Sequence, residues 1–414
     1  MRSRIQKTAT VAIALVALLT VGATASVERR ASTAASPKPG TLISAHPIPA
    51  PPGARAWRIL YRSTTTSGKQ VVVSGMVVAP SGKAPRGGRD VLAWAHGTTG
   101  VTKQCAPSTV SNPARNLVNY FSYQSTFGFD VGVPALTTFL RAGYVIVATD
   151  YQGLGTPGVH QYSIGGTEAH SVLDAVKAAG QMMRAGAGER AVVLGWSEGG
   201  GAALWVGQDA AYGAPVKVLG SAALAPNADL YNQLVKGVKA GPTNATAPSH
   251  EAALRLALYQ GLQAAYPNLH ARDLLLPPGV TALGGLANQC IEHFADTVLQ
   301  TSVDSGWGLD PTSKLFRAIV LPKPWAQALK MNAPGYASTH DPLLVMQGTA
   351  DTVINPNATA QYVARACRFS QPVQYTTYPN QTHQTIPSAA QHQYVRWIAD
   401  RFAGKRAPTN CPRR

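Results

Sequence analysis

Charged side chains are scarce in this sequence of 414 residues, and acidic ones are the scarcest. Asp and Glu together number 19, against 36 Lys and Arg, while 45% of the residues are hydrophobic. This composition excludes a disordered chain and predicts a globular protein with a sizeable core. The formal net charge is +17, but the basic residues are scattered and form no nucleic-acid module, so we expect no nucleic-acid partner. The charge instead favours contact with anionic surfaces, such as a cell envelope or a lipid interface.

Cysteine is also rare. The chain has four, Cys105, Cys290, Cys367 and Cys411, and they lie far apart in the sequence. This spacing excludes the closely spaced cysteine pairs of zinc knuckles and redox motifs, so we expect no metal site built on them. In an exported chain an even number of cysteines predicts two disulfide bonds, although the spacing alone leaves three pairings open.

Long apolar runs are absent beyond the N-terminus, so no later segment is predicted to span a bilayer. The first 25 residues have the features of a secretory signal peptide: a basic start, the apolar run ATVAIALVALLTV at 9–21, and the small residues ATA at 23–25. The alternative is an uncleaved membrane anchor. We expect a secreted protein, either extracellular or associated with the cell envelope. Residues 26–52, rich in Ala, Ser and Pro, are interpreted as a linker or tail.

Short apolar segments alternate with helical segments along most of the remaining chain, which has no internal repeat. We predict strands at 56–64, 71–80, 90–96, 144–150, 191–195, 216–226, 342–348 and 372–379. We predict helices at 167–183, 198–211, 357–368 and 385–403. The first two strands are expected to form an antiparallel hairpin. Because the later strands are almost entirely apolar and alternate with helices, the pattern predicts an α/β fold, with a mostly parallel sheet covered on both faces.

The helix at 167–183 has the clearest periodicity. Thr167 is predicted to be its N-cap, and Leu173, Val176 and Met183 are predicted to share one apolar face.

The alternation stops between residues 227 and 335. This region has helical stretches, such as SHEAALRLALYQGLQAA at 249–265, and many turn signals, but no clear buried strand. Its length is that of a small domain. We therefore predict one α/β core, formed by residues 53–226 and 336–414, that is interrupted by a largely helical cap insertion at 227–335.

The segment VVLGWSEGGG at 192–201 places Ser197 after an apolar strand and before a run of small residues. A strand, a sharp turn and a helix form the context in which a Gly-x-Ser-x-Gly motif exposes a nucleophilic serine. Gly195 and Gly199 fit this prediction because side chains at those positions would collide with the strand and the helix. The alternative is a glycine-rich junction without a chemical role.

A nucleophilic serine requires a histidine base that is oriented by a carboxylate. In folds with this turn the order along the chain is Ser, acid, His, and the acid and the histidine each lie on a loop after a later strand. Asp351 follows the strand at 342–348 and His383 follows the strand at 372–379. They are the predicted acid and base, and their alternatives are a turn-capping aspartate and a surface histidine.

Three rival residues fit the order less well. Asp341 precedes its strand and would lie at the wrong end of the sheet. Asp150 ends a strand that comes before the serine, and His392 falls within the final predicted helix.

The segment HGTTG at 96–100 follows the strand at 90–96. A loop in this position supplies one backbone N–H to an oxyanion hole, and the residue after the serine, Glu198, supplies the other. Thr98 is the first donor by position, with Thr99 as its alternative, and a threonine hydroxyl can add a third hydrogen bond. The first two residues of the segment are equally compatible with a structural turn.

The combination of these motifs resembles the secretory lipase family of α/β-hydrolases, typified by fungal lipase A and widespread in actinobacteria. The residues that carry the resemblance are HGTTG, QCAPS (104–108), ATDYQGLG (148–155), GWSEGG (195–200), GTADTVINP (348–356), THQ (382–384) and the four cysteines. The resemblance covers most of the chain after the signal peptide. It implies an α/β-hydrolase fold and a catalytic triad of Ser197, Asp351 and His383.

The resemblance also implies the disulfide pairings Cys105–Cys290 and Cys367–Cys411. The first would tie the oxyanion loop to the insertion, which would then be a cap over the acyl site, and the second would tie the tail to the body. Glu198 departs from the fungal pattern, which has glycine at that position. A carboxylate so close to the serine is hypothesised to affect the pH profile.

The leading hypothesis is a secreted serine carboxylic-ester hydrolase, a lipase that acts on acylglycerols or other lipid esters through an acyl-enzyme. This chemistry needs no metal and no cofactor. A short-chain esterase, a serine peptidase and an acyltransferase on the same fold are alternatives, since the fold does not decide the substrate. An exported binding protein would predict a broken triad, whereas the sequence contains all three residues.

Overall fold

The computed structural model describes residues 38–120, 127–231, 247–337, 339 and 341–412. The predicted signal peptide and the first part of the predicted linker lie outside these residues. Within them, no helix is both long enough and apolar enough to cross a membrane.

The described residues form a single sheet of nine strands. These are β1 (Leu42–Ile48), β2 (Ala54–Thr64), β3 (Gln70–Pro80), β4 (Arg89–Ala95), β5 (Val145–Thr149), β6 (Ala187–Trp196), β7 (Lys217–Leu224), β8 (Leu343–Gly348) and β9 (Val373–Tyr378). Their order in the sheet is β1-β2-β3-β5-β4-β6-β7-β8-β9. The first four strands in this order, β1, β2, β3 and β5, are joined by antiparallel pairing. All pairs from β5–β4 to β8–β9 are parallel. The predicted mostly parallel α/β sheet is confirmed.

The strand β1 corrects the predicted extent of the linker. Residues 42–48 fall within the segment 26–52 that was interpreted as a linker or tail, yet they pair with β2 from Leu42↔Tyr61 to Ile48↔Ala56. β1 is an edge strand with a partly exposed surface, and it contains a proline, which edge strands tolerate. Its composition therefore resembled that of a linker. The predicted hairpin is confirmed as β2 and β3, which pair along their full lengths.

Helices cover both faces of the sheet. They are α1 (Leu136–Arg141), α2 (Gly165–Gly180), α3 (Glu198–Val206), α4 (Ala210–Gly213), α5 (Ala247–Ala265), α6 (Pro277–Leu286), α7 (Ile291–Asp304), α8 (Thr312–Leu315), α9 (Lys323–Met331), α10 (Pro356–Arg368), α11 (Ile386–Ala389) and α12 (Gln391–Phe402). The helices α2 and α3 pack their apolar residues into one core cluster, and α1 and α12 pack theirs into another. The layered architecture follows from strands that are apolar on both faces.

The helix α2 differs from its prediction at both ends. It begins at Gly165, so Thr167 lies inside the helix, where its hydroxyl donates a hydrogen bond to Gln161 Oε1 at 2.8 Å instead of capping the helix. It ends at Gly180, and the side chain of Met183 is 96% exposed. The predicted apolar face therefore holds for Leu173 and Val176 but is wrong for Met183.

Two other helices are shorter than predicted. α3 ends at Val206, and a 3₁₀ turn and the short helix α4 follow it. The final predicted helix, 385–403, is divided into α11 and α12 at Ala390.

The helices α5 to α9 lie between β7 and β8 in the chain and within the predicted insertion. They build their own apolar cluster, which includes Leu256, Tyr259, Phe294 and Trp325. Val101, Tyr162 and Ile164, from loops at the end of the sheet, complete this cluster. The insertion therefore packs against the segments that surround the predicted oxyanion loop. Apart from the end of the linker, the predicted domain boundaries stay a prediction.

Candidate active site

Ser197 occupies a sharp turn between β6 and α3, with φ 58° and ψ −118°. Positive φ is uncommon for a residue other than glycine, and such strain is concentrated at functional sites. A β-carbon added at Gly195 would lie 2.0 Å from the carbonyl oxygen of Gly199, and one added at Gly199 would lie 2.0 Å from that of Ala95. Because both approaches are far too close for a side chain, the turn requires glycine two residues before and two residues after Ser197.

His383 lies within hydrogen-bond distance of both Ser197 and Asp351. Its Nε2 is 2.8 Å from Ser197 Oγ, and its Nδ1 is 2.9 Å from Asp351 Oδ2. All three side chains are buried to at least nine-tenths. Asp351 follows β8 and His383 follows β9, and since these strands are parallel to β6, their carboxyl ends bring the three loops together. The structure thus places the three predicted residues in the geometry of a serine, a base and an orienting acid.

The carboxylate of Asp351 is surrounded by N–H donors. The backbone N–H groups of Val353 and Ile354 donate to Oδ1 at 2.9 and 2.8 Å. Gln347 Nε2 donates to Oδ2 at 2.9 Å, beside the contact from His383. These donors match the lone pairs of an ionised carboxylate and hold its orientation.

The rival residues have other positions. The Asp150 carboxylate accepts hydrogen bonds from Ser74 Oγ at 2.6 Å and from the backbone N–H of Ser108 at 2.9 Å, so it anchors neighbouring loops. Asp341 precedes β8, at the other end of that strand from Asp351. His392 is exposed on α12.

The predicted oxyanion loop, residues 96–100, follows β4 directly. The hydroxyl groups of Thr98 and Tyr162 lie 3.0 Å apart, and the carbonyl of Thr99 accepts a hydrogen bond from the backbone N–H of Ile291 at 2.9 Å. Glu198 is the first residue of α3, and the first N–H groups of a helix have no partner within it. Thr98 and Glu198 are thus positioned as the sequence requires, and their role as oxyanion donors stays a prediction.

His96 opens this loop and is buried. Burial lowers the pKa of His96 to about 4, so the ring is neutral near pH 7. Its Nδ1 lies 2.7 Å from the carbonyl oxygen of Gly97, and its own carbonyl oxygen accepts a hydrogen bond from Tyr151 Oη at 2.9 Å. These two hydrogen-bond contacts therefore fix the position of His96 at the start of the loop.

The side chain of Glu198 belongs to a buried group that sequence reasoning did not find. Its Oε1 lies 2.7 Å from His160 Nε2, and one of its carboxyl oxygens lies within 4.8 Å of one of Glu168. Its Oε2 is buried and has no hydrogen-bond partner among the described residues. Burial raises the pKa of Glu198 to about 8, raises that of Glu168 well above its usual range, and lowers that of His160. A weak signal was the acidic residue at 168 among the apolar residues of α2. His160 lies on an irregular loop and carried no signal.

His160, Glu168 and Glu198 each offer one potential ligand atom within 4.8 Å of the others, the usual starting point for a metal site. However, His160 Nε2 and Glu198 Oε1 are 2.7 Å apart. Neighbouring ligands of a tetrahedral zinc ion, each about 2.0–2.1 Å from the metal, lie about 3.3 Å apart. The observed distance is that of a hydrogen bond, so the group fits shared protons better than a metal ion.

Two disulfide bonds are present. Cys105–Cys290 joins the segment after the oxyanion loop to the start of α7, and Cys367–Cys411 joins the end of α10 to the C-terminal tail. These are the pairings that the resemblance implied. The first bond ties the cap helices to the edge of the site, and a β-carbon at Gly100 would lie only 2.7 Å from Cys105 Sγ.

Comparison with known proteins gives matches over most of the chain. Residues 120–410 match the family model described as secretory lipase. A secreted triacylglycerol lipase of Malassezia globosa is 24% identical over 401 residues, which cover 91% of this chain and 78% of that protein.

Two solved structures have the same fold at low sequence identity. Lipase A of Candida antarctica in its closed state has a TM-score of 0.70 at 18% identity, with 90% of this chain and 84% of that chain covered. The rice cell wall degrading esterase LipA of Xanthomonas oryzae has a TM-score of 0.65 at 16% identity, with 89% and 100% covered.

Proposed function

The chain belongs to the secretory lipase family, and from that premise we propose that Ser197, His383 and Asp351 are the catalytic triad of a lipase that hydrolyses acylglycerols or related lipid esters. The general activity, that of a secreted carboxylic ester hydrolase, follows from the family and its relatives. The observation that carries the proposed triad is the continuous hydrogen-bonded path from Ser197 Oγ through both nitrogens of His383 to Asp351.

In the proposed mechanism, Ser197 Oγ attacks the ester carbonyl while His383 Nε2 takes its proton. Asp351 accepts the Nδ1–H of His383, which keeps the ring in the correct tautomer and stabilises the imidazolium. The backbone N–H groups of Thr98 and Glu198 stabilise the oxyanion at the N-terminus of α3. His383 then gives the proton to the leaving alcohol, and a water molecule activated by the same ring hydrolyses the acyl-enzyme.

Two observations support a lipid substrate. The Malassezia globosa relative is named a triacylglycerol lipase, and the helices at 227–335 add a separate apolar cluster beside the oxyanion loop. We propose that this insertion is a cap that covers the acyl chain. The Xanthomonas oryzae protein is an esterase, which keeps a short-chain esterase as the second candidate.

The net positive charge supports a further proposal, that the enzyme approaches anionic envelope or lipid surfaces. Residues 1–25 are proposed to be a signal peptide that is removed on export.

The test is the hydrolysis of p-nitrophenyl esters from acetyl to palmitoyl by the purified mature chain and by Ser197→Ala. We expect kcat/KM to rise toward long chains and kcat to fall roughly 10⁴-fold or more in the variant. Ser81→Ala, an exposed serine at the end of β3, is the matched control and should keep full activity. Activity confined to short chains would support the esterase, and equal activity in Ser197→Ala and the parent would refute the proposed nucleophile.

A further inference from the structure

A second group of titratable side chains meets Ser197's neighbour Glu198, and the proposed triad does not use it. We call His160, Glu168 and Glu198 the acid cluster. They come from the loop before α2, from α2 itself and from the first position of α3. Each is at least nine-tenths buried. A buried group of this kind is a candidate for a role in catalysis, since perturbed titratable groups concentrate at functional sites.

The hydrogen bonds of His160 require a proton between it and Glu198. Nδ1 lies 2.7 Å from the carbonyl oxygen of Gln152, which can only accept, so Nδ1 carries a hydrogen. In a neutral ring Nε2 is then an acceptor, and an ionised carboxylate is also an acceptor. The contact of 2.7 Å between Nε2 and Glu198 Oε1 therefore holds an additional proton. That proton makes the pair either imidazole with carboxylic acid or imidazolium with carboxylate.

Glu168 adds a second carboxyl group to the same buried space. Its Oε1 accepts a hydrogen bond from the backbone N–H of Ser163 at 2.7 Å, and one of its carboxyl oxygens lies within 4.8 Å of one of Glu198. Two buried carboxylates at such a distance repel each other, and such pairs share a proton. The acid cluster therefore carries less negative charge near pH 7 than two glutamates would carry in water.

The acid cluster is connected to the oxyanion loop at three points. The hydroxyl of Thr98 lies 3.0 Å from that of Tyr162, whose ring meets the ring of His160 edge-on with centroids 6.1 Å apart. The backbone N–H of His160 donates to the carbonyl of Val101 at 3.2 Å. The ring of Tyr151 stacks on that of His160, with centroids 5.7 Å apart, and its hydroxyl donates to the carbonyl of His96. Contacts with the cluster or with its neighbours thus hold the start and the middle of the loop and the residue that follows it.

We propose that the acid cluster shares protons so as to hold the oxyanion loop in its working position beside Ser197, which makes His160, Glu168 and Glu198 positioning residues for ester hydrolysis. This inference rests on the proposed function, because it assumes that the loop and the N–H of Glu198 stabilise the oxyanion. When the cluster loses its shared proton, Glu168 and Glu198 repel each other and the connections to the loop are strained. A full negative charge then also lies next to the place where the oxyanion develops.

The expected consequence is an alkaline limit to activity. Because burial raises the pKa of Glu198 to about 8, kcat should fall above about pH 8. The titratable groups that face the cluster are His96, Tyr151, Tyr162 and, at the hydroxyl of Ser197, His383. Burial lowers the pKa of His96 to about 4 and raises those of both tyrosines well above 10, so these three stay neutral through the alkaline range.

The test compares Glu198→Gln, Glu168→Gln and Glu198→Leu with the parent, by measuring kcat and KM for one ester from pH 5 to 10. We expect the parent's kcat to be about tenfold lower at pH 9 than at pH 7. Glutamine keeps the shape and hydrogen bonding of the carboxylic acid but cannot ionise, so Glu198→Gln should show no such fall. Leucine removes the hydrogen bonds and should lower kcat about tenfold or more at every pH, with little change in KM.

A matched control is Asp209→Asn, which removes the carboxylate of another histidine contact, the partly buried one from His170 Nε2 to Asp209 Oδ2 at 2.7 Å. It should leave the alkaline limb unchanged. An infrared carbonyl band of a protonated carboxylic acid at pH 7, weakened in Glu198→Gln and in Glu168→Gln, would support the shared proton without reference to activity.

An alkaline limb that persists unchanged in Glu198→Gln and Glu168→Gln would overturn the inference, as would loss of parent activity on treatment with a chelator. If the parent hydrolyses no ester at any pH, the proposed function fails instead, and the infrared band still reports on the proton.

Discussion

Two carboxyl groups lie near Ser197, those of Asp351 and Glu198. They are buried to a similar degree, but their neighbouring groups are very different. Asp351, 4% exposed, receives hydrogen bonds from two backbone N–H groups, from Gln347 and from His383. Glu198, 2% exposed, has a histidine and a second carboxyl group as its neighbours. The two carboxyl groups therefore share their burial but differ in the number of N–H donors that point at them.

The difference follows from the local chain. Asp351 lies in a tight turn after β8, and such turns direct successive backbone N–H groups toward an aspartate side chain. Glu198 is at the first position of a helix, where its own N–H is the proposed oxyanion donor and its side chain extends toward α2. There it meets Glu168, which has one backbone donor, the N–H of Ser163. One carboxyl group near Ser197 thus lies among N–H donors, and the other lies beside a histidine and a second carboxyl group.

Removal of the Asp351 carboxylate should give the largest effect on kcat. In Asp351→Asn, an amide replaces the acceptor for His383 Nδ1–H, so the ring adopts the wrong tautomer and can no longer take the proton from Ser197. We expect kcat to fall about 10⁴-fold with a small change in KM. Steady-state hydrolysis of one ester at pH 7.5 measures this. The matched control is Asp341→Asn, which changes the rival aspartate before β8 and should keep kcat within about twofold. A larger loss in the control than in Asp351→Asn would assign the acid to Asp341.

Removal of the two disulfides, one at a time, should show which of them supports the oxyanion loop. The bonds span 185 and 44 residues, and loop entropy predicts stabilisation of about 5 and about 4 kcal/mol respectively. Replacement of Cys105 and Cys290 by serine should therefore lower both the melting temperature and kcat, because Cys290 precedes the residue that holds Thr99. Replacement of Cys367 and Cys411 should lower the melting temperature alone. Thermal unfolding and ester hydrolysis below the transition test this, and equal kcat in the two double variants would contradict it.

The sequence predicted the sheet and the three residues at Ser197 because both depend on local patterns. Apolar strands alternating with helices indicate parallel β-structure, and the glycine spacing around Ser197 follows from two backbone approaches of 2.0 Å. Asp351 and His383 could be chosen because parallel strands bring their carboxyl ends to one edge of the sheet. The Asp351–His383 contact thus follows from chain order and strand direction.

The acid cluster could not be predicted in the same way. His160 follows no strand and belongs to no periodic segment, and its approach to Glu198 depends on how an irregular loop folds back over α3. The edge strand β1 was missed because its burial is partial and its composition resembles a linker. The end of α2 was misplaced because Met183 continues the helical period beyond Gly180, where the helix stops. In each case the deciding contact lies far away in the sequence.

The smallest expected effect concerns stability and pH. In the unfolded chain Glu198 titrates near 4.5, and in the folded protein burial raises its pKa to about 8. Between these values the folded state binds more protons than the unfolded state, so the contribution of Glu198 to stability is complete below about pH 4.5 and is lost as pH rises toward 8. The slope has an upper limit of about 1.4 kcal/mol per pH unit for one group. The melting temperature of the parent should therefore fall from pH 5 to pH 8, and that of Glu198→Gln should fall less. If the melting temperatures of Glu198→Gln and the parent change in parallel across this range, Glu198 is ionised in the folded protein. Glu198 and Asp351 would then differ in their hydrogen-bond geometry and not in their charge.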